Sequence, residues 1–216
     1  MTEIHNIIFD LGGVIINLDP GKTRQAFMVL GARDFDRLYS PLAQVSVFDL
    51  LDKGNITPHQ FRSEVRNYLS HSATDVAIDR AWNAMLLDVP AQKLQLLGEL
   101  KKDYRLFLLS NTNVIHVAEF SRQLQNAHGS PDFTPWFERC YYSCNIGMRK
   151  PDREIFMHVL NENGLLAAET LFIDDSKQHI EGAAKCGIRT ALYHQGSSLG
   201  RLLKDSQVKV PDHFLS

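Results

Sequence analysis

The chain has 216 residues, 44% hydrophobic and 22% charged, which allows one large domain or a core with an insertion and excludes a disulfide-stapled mini-protein. Its 23 Lys and Arg against 25 Asp and Glu leave a formal net charge of -2. That balance gives no broad electrostatic footprint for nucleic acid or an anionic membrane surface, so any phosphate-bearing ligand would have to be held by a local site.

In chain order, His5 to Phe9 is a short β-branched and aromatic run with the continuous apolar character of a strand buried on both faces. From Pro20 to Asp88 the pattern is instead that of successive amphipathic helices, at Gly21 to Leu30, Asp34 to Tyr39, Ser46 to Asp52, Pro58 to Leu69 and Asp75 to Leu86. Gly54-Asn55 marks a turn there, and Thr57-Pro58 a capped helix start. Beyond Asp88, helices at Ala91 to Lys102, Val114 to Asn126, Asp152 to Asn163 and Lys177 to Cys186 alternate with strands at Arg105 to Leu109, Cys140 to Tyr142, Thr170 to Ile173 and Arg189 to Tyr193. Pro151 suits the first turn of the helix it opens, while Gly164 and Gly187 stand where C-terminal caps belong. This alternation predicts an α/β fold, a doubly wound parallel sheet of Rossmann-like type. Residues 1–19 and 89–216 would form its core and 20–88 an inserted all-α cap.

In an open parallel sheet ligands bind beyond the carboxyl ends of the strands, so the residues that follow each apolar run are the informative ones. They are Asp10-Leu11-Gly12-Gly13-Val14, Ser110-Asn111-Thr112-Asn113 and Asp174-Asp175-Ser176, with Gly147-Met148-Arg149-Lys150-Pro151 ahead of a helix. Together they would place three carboxylates, one hydroxyl and one ammonium around a single crevice. Converging carboxylates repel unless a cation or protons compensate, and a few hard oxygen ligands with open positions suit Mg²⁺. A phosphate ester brings charge that the metal and Lys150 neutralise, while Ser110 and backbone N–H groups near Asn111 donate to its oxygens. A metal-tethered carboxylate is also a competent nucleophile, able to form an aspartyl-phosphate.

These four segments, in this order, resemble those of the haloacid dehalogenase superfamily, with the helical insertion matching a C1-type cap. The combination is similar to the bacterial sugar-phosphatase branch that includes glucose-1-phosphate phosphatase. The resemblance implies that Asp10 is the nucleophile and a Mg²⁺ ligand, with the Gly12 carbonyl as another ligand. It further implies that Ser110 and Asn111 bind the phosphoryl group, that Lys150 steadies it and Asp10, and that Asp175 binds the metal with Asp174 beside it.

One departure stands out. Most phosphatases of this superfamily carry a second aspartate two residues after the nucleophile, acting as general acid and base, where this chain has Gly12. Such assistance is worth ~10²–10⁴ in rate, so its loss predicts a slow enzyme or an easy leaving group such as a sugar hemiacetal oxygen. A cap residue such as Asp52 or His59, or a bound water, could supply the proton instead.

The expectation is a Mg²⁺-dependent phosphatase of a small phosphorylated metabolite, a sugar phosphate, existing as a monomer or small homo-oligomer. Its rivals are a non-catalytic phosphometabolite-binding or regulatory protein, a phosphomutase, which Gly12 disfavours, and a metal-free 2-haloacid dehalogenase, in which Asp174-Asp175 would be out of place. Singly, the motifs have plainer readings: Ser110 to Asn113 and Asp174-Asp175 also read as helix caps. Tyr39, Phe48, Trp82 and Asn83 read as cap core rather than substrate contacts, and His116 and His179 as satisfied groups rather than acid-base catalysts. Cys140, Cys144 and Cys186 are too few for a disulfide framework and lack a metal tetrad, which points to a reducing compartment, the cytoplasm. Ile7-Ile8-Phe9 runs straight into Asp10 without a signal-peptide flank, and no stretch reaches the length of a membrane span.

Overall fold

Strand β1 (Asn6–Phe9) is buried at every position. The alternation of a strand explains why: Ile7 and Phe9 enter one apolar cluster and Ile8 another, on the opposite face. Its neighbours β2 (Arg105–Ser110) and β4 (Thr170–Asp174) divide in the same way, Leu106 and Leu108 against Phe107 and Leu109, and Leu171 and Ile173 against Phe172. With β3 (Arg139–Tyr142) and β5 (Arg189–Leu192) they form a five-stranded sheet, parallel throughout, in the order β3-β2-β1-β4-β5. The computed structural model describes residues 2–32, 47–70 and 72–215.

Helices cover both faces. On one side pack leucines of α5 (Ala91–Leu100), Phe120 and Leu124 of α6 (Val114–His128), and Leu199 and Leu203 of the C-terminal α10 (Leu199–Asp205). On the other lie Ile155, Phe156, Val159 and Leu160 of α8 (Arg153–Asn163), with Ala183 of α9 (Lys177–Ala184). The doubly wound parallel sheet is as the alternation predicts. Helix α8 starts at Arg153, two residues after Pro151, and Gly164 caps its end at φ 63°. A single turn, α7 (Ser143–Ile146), and α10 had no counterpart in the sequence pattern, being too short to show periodicity.

The insertion between β1 and β2 carries α1 (Pro20–Val29), α2 (Val47–Asp52), α3 (Pro58–Arg66) and α4 (Asp75–Asn83). Helix α3 begins where Thr57 and Gln60 exchange side-chain to backbone hydrogen bonds, at 2.8 and 3.2 Å. Phe27, Phe48, Phe61, Val65, Ile78 and Trp82 form a third apolar cluster that takes in Ile115 from the start of α6. The insertion therefore packs onto the end of the sheet where β2 gives way to α6. The expected helix from Asp34 to Tyr39, and Tyr39 itself, lie outside the described residues.

Candidate active site

The chain leaves β1 towards β2 and β3, then returns to β1's other side at β4. Loops diverge at such a switch point and leave a crevice beyond the strand ends. Pairing of Phe9 with Ile173, and a 2.9 Å bond from the Asp10 N–H to the Ile173 carbonyl, set Asp10 beside Asp174 at that point. The Lys150 ammonium joins them, donating to Asp10 Oδ1 at 2.7 Å, Asp174 Oδ2 at 2.6 Å and the Leu109 carbonyl at 2.8 Å. An ammonium has three protons, so its donor capacity is fully used.

Lys150 and Asp174 are 0% exposed and Asp10 is 7% exposed. Burial alone would lower the Lys150 pKa, but the Asp10 and Asp174 carboxylates reverse this and hold it above its ordinary value. Asp174 is held below the usual carboxylate range, burial being outweighed by Lys150 and His179, whose Nδ1 lies 3.0 Å from Asp174 Oδ1. Asp10 goes the other way: burial, opposed by Lys150 but reinforced by Asp174 and Asp175, pushes its carboxyl up to about 7. Burial and the Asp174 charge also raise Asp175.

Two loops are fastened to this cluster. The Asn111 amide bonds both ways with the Lys150 backbone, Nδ2 to its carbonyl at 2.8 Å and Oδ1 from its N–H at 2.9 Å. Asn113 Oδ1 caps α6 by accepting from the N–H groups of Ile115 and His116, while its Nδ2 donates to Asp52 Oδ1 at 2.9 Å. The Ser143 hydroxyl accepts from the Thr112 N–H at 2.9 Å and lies 2.6 Å from the Asp52 carbonyl. Arg149 pairs with Asp49 on α2. The end of α2 is thus tied to both loops, and Gly54, at φ 69°, permits it: a side chain there would strike the Cys144 carbonyl.

These elements enclose a cavity of about 210 Å³. Asp10, Gly12, Ser110, Asn111, Asp175 and His179 line its strand side, and Asp52, Trp82, Met85 and Leu86 its insertion side, with His116 of α6. A larger hollow of about 790 Å³ lies outside, between α3, α4 and α6, and carries none of the strand-end groups.

Asp10, Asp174 and Asp175 bring ligand oxygens within 4.8 Å of one another. One ammonium does not balance three carboxylates, so the donor set fits a hard divalent cation. Gly13, at φ 77°, keeps the space beside Asp175 open, since any side chain there would overlap its carboxylate.

A family model for haloacid dehalogenase-like hydrolases matches residues 4–187. The chain belongs to that family. It is 31% identical to D-ribitol-5-phosphate phosphatase from Bacteroides thetaiotaomicron over 87% of this chain and 90% of that protein. A HAD family enzyme from the same organism, solved in complex with magnesium and inorganic phosphate, is 35% identical with a TM-score of 0.85, over 92% of this chain and 98% of that one. A HAD-like family hydrolase from Porphyromonas gingivalis is 29% identical with a TM-score of 0.86, over 96% of this chain and all (100%) of that one.

In this hydrolase the structure brings Asp10, Gly12, Ser110, Asn111 and Asp175 onto one cavity wall, while Lys150 and Asp174 sit behind it. His116 and His179 are satisfied, His116 stacking on Trp82 at 4.5 Å with its Nε2 3.3 Å from the Trp82 carbonyl. Phe48 is core of the insertion, and Asn83 faces the outer hollow. Trp82 is core and cavity wall at once. Sequence reasoning missed Ser143, although it directly follows β3 and the strand-end rule that chose Ser110 would have found it.

Proposed function

We propose that this hydrolase is a Mg²⁺-dependent phosphatase of a small phosphorylated metabolite, a sugar or polyol phosphate. The single observation that carries the reading is Asp10, bonded to Lys150 at the switch point and lining a cavity of about 210 Å³ beside Ser110 and Asn111. The similarity to a D-ribitol-5-phosphate phosphatase supports the substrate class. In this reading residues 20–88 are the helical cap and residues 1–19 and 89–216 the core; the uncrosslinked cysteines favour the cytoplasm.

Asp10 and Asp175, with the Gly12 carbonyl, would hold Mg²⁺, with Asp174 beside them behind the cavity wall. When bound, the ion supplies positive charge against the phosphoryl oxygens and keeps the carboxylates ionised. Lys150 orients Asp10 through Oδ1, so that Asp10 attacks phosphorus in line and forms an aspartyl-phosphate. Ser110 and the backbone N–H groups at Asn111 donate to the phosphoryl oxygens. The cap wall, Trp82 and Met85 included, excludes water and selects the leaving group. Hydrolysis of the aspartyl-phosphate then returns Asp10 and releases phosphate.

The test is a panel of sugar, polyol and nucleotide phosphates and an aryl phosphate, assayed with Mg²⁺. Asp10→Asn should lose turnover by at least about 10⁴-fold, and chelation should abolish activity that Mg²⁺ restores. Turnover persisting in Asp10→Asn would overturn the nucleophile; phosphate binding without hydrolysis by the parent would favour the non-catalytic rival.

A further inference from the structure

When an in-line attack expels an alkoxide, the departing oxygen needs a proton, and the cavity wall restricts what can provide one. The expected position, residue 12, cannot: Gly12 has no side chain, and Leu18 Cδ1 stands 2.7 Å from where a Cβ would lie. Asp10 is committed to phosphorus. Asp175 belongs to the metal cluster, and His179 is tethered to Asp174. Burial lowers His116 to about 4, which leaves a neutral ring at working pH. His59 is absent from the cavity's described walls.

Asp52 remains. It reaches the cavity from the end of α2, across from the strand ends, and three contacts fix it there: Asn113 Nδ2 on its side chain, the Ser143 hydroxyl at its carbonyl, and the Arg149 pair with Asp49 one turn earlier. The Asn113 amide engages Oδ1, which leaves Oδ2 as the oxygen able to carry a proton.

We propose that Asp52 is the general acid of the reaction, donating its proton to the leaving oxygen of the phosphate ester. The proposal rests on the phosphatase reading above. As the Asp10 oxygen bonds to phosphorus, the bond from phosphorus to the ester oxygen breaks, its electron pair stays on that oxygen, and the Asp52 proton converts it to a hydroxyl. Asp52, now a carboxylate, takes a proton from the water that displaces Asp10 from phosphorus, and so recovers its starting form. Burial, only partly offset by the Asn113 bond, pushes the Asp52 carboxyl up to about 6, so an acid form persists well above the usual carboxylate range. The groups around it are Asn113 on its side chain, Cys144 from α7, His116 from α6, and Asp10, Asp175 and His179 across the cavity, while Asp49, one turn earlier on α2, pairs with Lys53 and Arg149.

The experiment compares kcat/KM of the Mg²⁺-loaded parent, Asp52→Asn and Asp52→Glu on a series of alkyl and aryl phosphates, across pH. This ratio reports steps through phosphoryl transfer and not the later hydrolysis. Asp52→Asn, which keeps the acceptor for Asn113, should lose ~10²–10⁴-fold with alkyl phosphates and less than about tenfold with 4-nitrophenyl phosphate. It should also lose the alkaline limb of the alkyl-phosphate pH profile, while Asp52→Glu recovers part of both. An equal loss on every leaving group, or none, overturns the proposal and leaves the phosphatase reading standing. A parent inactive on all esters overturns both.

Discussion

Along the strand side of the cavity, Asp10, Asp174 and Asp175 gather around Lys150, and each hydrogen bond between Lys150 and a carboxylate joins distant parts of the chain. Along the insertion side, Trp82 stacks on a neutral His116, and Asp52 meets the neutral amide of Asn113. The first wall concentrates charge that only further charge can balance. The second is apolar apart from one carboxyl that burial drives towards its protonated form. The contrast separates two tasks: phosphorus and metal are met by the core, the leaving group and its proton by the insertion.

The largest break in that contrast is Lys150→Met. It leaves Asp10 and Asp174 buried without their ammonium, and removal of one partner from such a cluster costs about 3–5 kcal/mol. Denaturant melts at pH 8 should show that loss, with part recovered at pH 5 where the carboxyls take up protons; turnover should vanish. A Lys150→Met protein as stable as its parent at pH 8 would mean that the strand wall does not depend on charge balance.

Asp52→Asn probes the other wall through stability. Because the folded-state pKa of Asp52 is raised from 3.8 to about 6, the folded chain binds that proton more tightly than the unfolded one. Its contribution is therefore fully present below pH 3.8 and is lost as pH rises through about 6. The amide removes the penalty, so thermal melts at pH 8 should rise by on the order of 2 kcal/mol, roughly 4–8 °C, with no gain at pH 4. A variant more stable and less active is the signature of a residue kept for chemistry. No gain at pH 8 would show that Asp52 is already comfortable as an anion.

The smallest effect belongs to the outer hollow. Val76 is 67% exposed on its rim, and Val76→Ser should alter stability by less than about 0.5 kcal/mol and leave kcat/KM unchanged. A changed substrate preference in that variant would extend the working site beyond the inner cavity.

The strand-end motifs were legible because a strand buried on both faces writes itself as an unbroken apolar run, and Asp10, Ser110 and Asp174 sit where β1, β2 and β4 finish. The Thr57 cap and the Gly164 terminus were readable for the same local reason, since one turn of backbone dictates them. Ser143 followed a strand run too, but the turn it opens is too short to announce a helix.

What the amino-acid order determined alone is therefore the parallel sheet and the set of groups delivered to its carboxyl edge. Only tertiary packing decided which of those groups reach the cavity: Asp10 and Asp175 do, whereas Lys150 and Asp174 are spent behind them. Packing alone also decided that Asp52 should meet Asn113, 61 positions away, and that Leu18 should occupy the space beside Gly12. The physical reason is one of range. Alternation and capping act over a few residues and leave a trace in the sequence, while a cavity wall is set by how separately folded layers settle against one another.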